Sequence, residues 1–221
     1  MVYRKDLIIT IDGPSGAGKS TIAKLLAREL GYTFIDTGAM YRGIACACKA
    51  REGEPVESIL KDLPLRFEFK GETRVYLDGA DISQEIREPH ISLLASSLSQ
   101  QSVVREYLYQ IQRDIGKNGG VVLEGRDTGS VVFPHAHVKF YLDASPDERA
   151  KRRHTELAAK GDSSELATVR EEMAVRDRND SERQIAPLVI PEGAHRVDTT
   201  GIDVPSVLAM LLKYIAGESA R

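Results

Sequence analysis

Leu7-Ile-Ile-Thr-Ile-Asp12 runs directly into Gly13-Pro14-Ser15-Gly16-Ala17-Gly18-Lys19-Ser20-Thr21, and the junction of these two stretches decides the fold. The first is a short β-branched apolar run, which reads as a buried strand. The second fits the P-loop pattern, in which glycines let consecutive backbone N–H groups turn inward around a phosphate. Beyond it Ile22, Leu25, Leu26 and Leu30 repeat at helical spacing until Gly31 ends the pattern. Four fixed positions of this kind recur by chance in roughly one chain of this length in a hundred. Here they lie between a strand and an amphipathic helix, so they read as a site for the phosphates of a nucleoside triphosphate. Lys19 reaches the β- and γ-phosphates, and Ser20 offers its hydroxyl to Mg²⁺.

Outward from this unit the chain alternates strands and helices. Thr33-Phe-Ile is a short second strand, and residues 39–51 form an alanine-rich helix expected to bury Cys46 and Cys48 as small core residues. Residues 53–63 read as a linker. The period then changes to two, with Leu65, Phe67 and Phe69 alternating with Arg66, Glu68 and Lys70. Val75 to Leu77 and Ile82 continue a small antiparallel meander, so residues 63–88 form a β-rich insert. Ile91, Leu94 and Leu98, then Val104, Leu108, Ile111 and Ile115, mark one long helix or two in series. Gly119 to Leu123 and Val138 to Leu142 read as the third and fourth core strands, and His195 to Val197 as a fifth. Arginine-rich helical sequence spans about 146–180, and Val204, Val207, Leu208, Leu211, Leu212 and Ile215 mark an amphipathic last helix. The fold class is therefore α/β: a parallel five-stranded sheet flanked by helices, in one domain over 1–221.

Composition narrows the function. The 221 residues carry 30 Lys and Arg against 33 Asp and Glu, a net charge of −3, which argues against a general nucleic-acid binder. No apolar run approaches the roughly 20 residues of a membrane helix. The first residues, Met1-Val-Tyr-Arg-Lys-Asp, show no signal peptide, so a cytoplasmic protein is expected. Two cysteines are too few for a disulfide framework or a four-ligand zinc site. The base-reading Asn-Lys-x-Asp of a GTPase is absent, and the chain is short for a helicase or transporter ATPase. A small-molecule kinase remains, and it needs a second anion site facing the P-loop.

The arginines supply that site. Asp36-Thr37-Gly-Ala-Met-Tyr41-Arg42 follows the second strand, and Glu124-Gly-Arg126-Asp127-Thr-Gly129 follows the third. Ligands of parallel sheets sit at the carboxyl ends of strands, so both segments are expected to face the P-loop. A third cluster, Arg176-Asp177-Arg178-Asn179-Asp180-Ser-Glu-Arg183, lies in the late helical region, with Arg149, Arg152 and Arg153 upstream. Charges at three- and four-residue spacing also describe a solvated helix face. Spacing alone does not choose between the two.

These same segments, with Ile185-Ala-Pro-Leu188, resemble the bacterial cytidylate kinases over nearly the whole chain. Ser20 after the P-loop lysine and Glu124, where an aspartate is also common before Gly-Arg-Asp, are this chain's variations on the pattern. The resemblance implies a P-loop kinase that phosphorylates CMP and dCMP from ATP, with Mg²⁺. It implies an ATP site at Gly13, Pro14, Ser15, Gly16, Ala17, Gly18, Lys19, Ser20 and Thr21. It also implies that Arg42, Arg126 and Arg183 hold the CMP phosphate, with Thr37 and Tyr41 beside it. Ser96, Arg105 and Asp127 would address cytosine, and Arg176 and Asp180 the ribose. A helical lid over about 149–183 would bring Arg149, Arg152 and Arg153 over ATP. Lys19, Arg126 and Arg183 are the implied catalytic residues, in a monomer whose partners are these nucleotides, with no nucleic acid and no membrane. Two readings compete: a small kinase with an alcohol acceptor, which would need a carboxylate base, and a nucleotide-binding module without activity.

Overall fold

The computed structural model describes residues 4–159 and 161–218. Its main sheet has five strands: β1 (Ile8–Asp12), β2 (Thr33–Asp36), β6 (Val121–Gly125), β7 (Val138–Asp143) and β8 (His195–Asp198). They lie in the order β2-β6-β1-β7-β8, and all neighbours are parallel. β1 is central, which is why both its faces are buried: Ile9 and Ile11 point to one layer and Thr10 and Asp12 to the other, all fully buried. The register aligns the carboxyl ends, pairing Asp12 with Gly125 and Asp36 with Glu124. Asp12, Asp36 and Glu124 therefore stand on one rim.

Helices cover both faces. α1 (Lys19–Leu30) and the last helix, α8 (Val204–Glu218), pack on one side through Ile22, Leu26, Leu211 and Ile215 around Phe140. The other side is covered by α2 (Thr37–Ala50), α4 (Pro89–Leu98) and α5 (Ser102–Gly116), through Met40, Ile44, Ile91 and Leu108 against Leu123. Asp36 caps α2, accepting a hydrogen bond from the Ala39 N–H at 2.8 Å. Residues 65–81 form a separate antiparallel sheet of β3 (Leu65–Phe69), β4 (Thr73–Leu77) and β5 (Ala80–Asp81), docked on α2 through the fully buried Val75.

Three sequence readings change and two become definite. The 53–63 linker contains a short helix, α3 (Val56–Lys61), which buries Ile59 and Leu60; six residues are too few to show a period. The apolar pattern from Ile91 to Ile115, read as one long helix or two in series, is two helices, separated where Gln101 takes extended backbone with φ −86° and ψ 129°. The third core strand begins at Val121 rather than Gly119. Gly119 and Gly120 have φ of 70° and 66°, a left-handed turn that a strand cannot contain. Cys46 is buried as expected, but Cys48 is only half-buried. The arginine-rich stretch is two helices, α6 (Pro146–Ala158) and α7 (Leu166–Glu182), packed through Ala150, Val169 and Met173.

Candidate active site

The carboxyl rim opens on a cleft of about 880 Å³. One wall is the loop of residues 13–18, where Gly13, Gly16 and Gly18 all have positive φ. Gly13 has a second reason to lack a side chain, since a Cβ there would stand 1.9 Å from the Leu142 carbonyl oxygen. The Lys19 side chain curls back so that Nζ donates to the Pro14 carbonyl at 2.7 Å. Burial, with Arg126 beside it, pushes the Lys19 ammonium down to about 7. Ser15 through Thr21 line the cleft, whereas Gly13 and Pro14 stand behind it.

The opposite wall is built by residues that follow β2 and β6. Arg42 donates to Asp36 at 3.2 Å, Arg126 Nε to Asp180 at 2.8 Å, and the Thr37 hydroxyl to the Glu124 carbonyl at 2.8 Å. Burial and the neighbouring arginines compete at Asp180. Burial alone would push the Asp180 carboxyl up, but Arg126 and Arg176 outweigh it and hold the group below its ordinary range. Arg105 is among the largest fully buried side chains, not a surface residue of its helix, and donates to Asp127 at 2.8 Å. Tyr41 and Tyr109 flank that pair. Buried nitrogens of Arg42, Arg105 and Arg183 have no hydrogen-bond partner among the described residues. Such donors need an acceptor, and an anionic or carbonyl-bearing ligand would provide it.

The third wall comes from α6, α7 and the end of β8. Arg176, Asp180 and Arg183 line the cleft, and burial, then Arg126, pushes the Arg176 guanidinium down to about 10. Arg152 lines it too, with its NH2 donating to the Thr199 carbonyl at 2.7 Å, and Arg153 pairs with Glu156 at 3.0 Å. Ser96 lines the cleft from α4. Arg149 does not. Its Nε donates to the Ala144 carbonyl, and its NH1 donates to the Ser15 carbonyl and pairs with Asp177. Arg149 is thus a support behind the P-loop: it lies one helical turn before Arg152 and Arg153 on the same side of α6, and that turn brings it against Ser15 and Ala144 rather than the cleft.

Three residues that sequence reasoning passed over complete this scaffold. Asp12, fully buried, accepts from the Thr128 N–H at 2.9 Å, the Thr128 hydroxyl at 2.8 Å and the Gly129 N–H at 2.7 Å, so it holds the loop that carries Arg126 and Asp127. Asp177 accepts from the Ser15 N–H at 3.2 Å, tying α7 to the P-loop. Tyr109 donates to Asp127 at 2.5 Å. Only Tyr109 left a signal, one helical turn beyond Arg105. Asp12 and Asp177 meet partners 116 and 162 residues away.

The residues fit a divalent cation of the Mg²⁺ kind. Such an ion keeps waters and substrate phosphates and takes only one or two protein oxygens. The Ser20 hydroxyl lies 2.7 Å from Glu124 Oε1, both on the cleft, and burial, then Asp36, pushes the Glu124 carboxyl up. A nearby dication would relieve that burial cost. Among the described residues no group of three or more His, Cys, Asp and Glu forms a metal cage.

Comparison with known proteins identifies the family. The cytidylate kinase family model matches residues 9–217. A cytidylate kinase of Syntrophotalea carbinolica is 47% identical over 218 residues, covering 96% of this chain and 93% of its own length. One of Geobacter sp. strain M21 is 44% identical over 227 residues, covering 100% and 97%. Among solved structures, an uncharacterized protein from Eubacterium ventriosum shares the fold alone, with a TM-score of 0.53 at 14% identity over 96% of this chain and 99% of its own. A match over nearly the whole length, at that identity and coverage, places the chain in the cytidylate kinase family.

Proposed function

We propose that this protein transfers the γ-phosphoryl group of ATP to CMP and dCMP. The observation that carries the reading is the pairing of two anion-binding poles across one cleft. The P-loop and Lys19 form one pole, and Arg42, Arg126, Arg176 and Arg183 the other. ATP and CMP bring together about four plus two negative charges, which repel strongly at contact, so a site that unites them has to be cationic on both sides. In this reading Ser15 to Thr21 receive the triphosphate, with Arg152 and Arg153 closing over it. Arg42, Arg126 and Arg183 hold the acceptor phosphate near Thr37 and Tyr41. Ser96, Arg105 and Asp127 meet the base, and Arg176 and Asp180 the ribose.

The attacking atom is a phosphate oxygen, anionic at neutral pH, so no general base is needed. Catalysis is positioning and charge stabilisation. Lys19, Arg126 and Arg183 stabilise charge on the phosphoryl group in transit, and each is already fixed by a hydrogen bond or ion pair before substrate arrives. Mg²⁺ held by Ser20 and Glu124 would supply charge neutralisation at the phosphates. Closing of the 149–183 region excludes water, which would otherwise accept the phosphoryl group. A cytoplasmic monomer fits the reading; among the described residues no helix is long and apolar enough to cross a membrane.

The test is ADP release with ATP and Mg²⁺ across the nucleoside monophosphates and a panel of alcohol acceptors. CMP and dCMP are expected to be the best acceptors. ADP formed only with an alcohol, or with no acceptor at all, overturns the reading.

A further inference from the structure

We infer that Tyr109 is a specificity-determining residue that sets how Asp127 presents itself to the base, though it does not line the cleft. The inference rests on the reading of Asp127 as the group that meets cytosine. The hydrogen-bond directions carry it. Arg105 can only donate, and its NH1 reaches Tyr109 Oη at 2.7 Å, Asp127 Oδ2 at 2.8 Å and Tyr41 Oη at 3.2 Å. Tyr109 Oη therefore accepts from Arg105, and its own proton is committed to Asp127 Oδ2 at 2.5 Å. Oδ2 receives two donors and is fully occupied. Among the described residues Oδ1 has only Arg183 NH2 near it, at 3.6 Å, beyond hydrogen-bond reach, so Oδ1 is the oxygen with lone pairs left for a ligand.

This arrangement leaves Asp127 one role, that of an ionised acceptor. Cytosine offers a 4-amino donor where uracil offers a carbonyl acceptor. An ionised, fixed carboxylate accepts from the first and repels the second. Rotation of the carboxylate would blunt that choice, because it would turn Oδ1 away from the amino group. The Tyr109 hydroxyl opposes that rotation, because a donor held against Oδ2 pins the plane of the group. Tyr109 is itself buried, 8% exposed, and burial, then the charge of Asp127, pushes its phenol up, so it stays a neutral donor across the working pH range. The contacts of Tyr109 thus act on the substrate only through Asp127 and Arg105, which makes it a positioning residue.

Tyr109→Phe removes the hydroxyl and keeps the ring. The measurement is kcat/KM for CMP and for UMP, with ATP saturating, in wild type and variant, beside KM for ATP and the thermal midpoint. Loss of one hydrogen bond to a charged group corresponds to about a tenfold fall in the CMP:UMP ratio, with KM for ATP unchanged. A lower folded fraction scales both constants equally and cancels in the ratio, so a merely structural role would leave the ratio where it was. A ratio within twofold of wild type, whatever happens to the separate constants or to stability, overturns the inference. A wild-type enzyme that shows no preference for CMP over UMP overturns the reading of the base site, and the inference with it. A strong wild-type preference that survives Tyr109→Phe overturns the inference alone.

Discussion

Removing Arg126 tests stability and catalysis separately, because its guanidinium serves both. Arg126 Nε lies 2.8 Å from Asp180 Oδ2, with the side chains 18% and 10% exposed. Breaking a buried pair by deleting one partner costs about 3–5 kcal/mol, mostly for the charge left behind. Here the stranded group would be Asp180, and it keeps Arg183 NH1 at 3.6 Å from its other oxygen. The expected loss in Arg126→Ala is therefore about 2–3 kcal/mol, below that range. Asp180→Ala strands a more exposed arginine that water in the open cleft can solvate, so its loss should be smaller. In the double variant neither charge is left unpaired, and the two losses should fall short of additive by about 1–2 kcal/mol.

Activity should not follow the same pattern. If Arg126 bears on the reacting phosphates, its loss removes about 2–4 kcal/mol of transition-state stabilisation, and deleting Asp180 as well cannot return it. Urea denaturation at pH 7 gives the stability cycle, and ADP release with CMP gives kcat/KM for the same three variants. The expected signature is partial rescue of stability with no rescue of turnover. Two results would refute the reasoning. Additive stability losses, within about 0.5 kcal/mol, would mean that the pair is not coupled. A kcat/KM for CMP within about threefold of wild type in Arg126→Ala would place the reacting phosphates elsewhere.

Three further outcomes follow from the same geometry. Lys19 sits near 7 before ligand binds, and bound phosphates raise its affinity for a proton, so ATP binding at pH 8 should take up about 0.9 proton and at pH 6 almost none. Affinity for ATP then falls as pH rises above 7; calorimetry in buffers of different ionisation enthalpy measures the uptake, and its absence at pH 8, or its persistence in Lys19→Ala, counts against the assignment. Asp12→Asn turns one acceptor of three hydrogen bonds into a donor facing the Gly129 or Thr128 N–H, and should cost about 2–3 kcal/mol of stability while raising KM for CMP more than KM for ATP; equal effects on both KM values would show that it does not act through the 127–129 loop. Gly13→Ala has to move either the P-loop or β7, since its Cβ would meet Leu142 O at 1.9 Å, so turnover should fall by orders of magnitude; an active variant of unchanged thermal midpoint would show that the loop is not held as described.

The parts of the fold that were legible in the sequence are those in which local pattern and tertiary role coincide. β1, the P-loop and α1 are one such stretch, because burial demands the β-branched run, phosphate geometry the glycines and amphipathic packing the leucines. Arg42 and Arg126 were legible for a related reason: they follow strands, and parallel strands end on one rim. What stayed hidden depends on which way a helix turns or on partners far along the chain. Arg149 lies one turn before Arg152 and Arg153 on the same side of α6, yet that single turn sets it behind the P-loop at Ser15 while they reach the cleft. The capping of the 127–129 loop by Asp12 has no local signature, because it depends on the registry between β1 and β6.

The cleft also explains how an acidic chain can gather two anionic nucleotides. Nine cationic and seven acidic side chains line it, so it is cationic only by a small excess, although the whole chain is net negative. Most of the arginines are held by acids: Arg42 by Asp36, Arg126 by Asp180, and Arg105 by Asp127. Those acids fix the guanidinium groups in place without ligand, at the cost of much of their net charge. The ligand's phosphates then meet a preorganised but nearly neutral wall, which cannot balance about six negative charges unaided. The balance has to come from two other sources: the backbone N–H groups of the P-loop and a divalent cation at Ser20 and Glu124. The site is thus fixed in shape before binding and completed in charge by binding, which favours the transfer geometry without holding a strongly positive, self-repelling pocket open in the free protein.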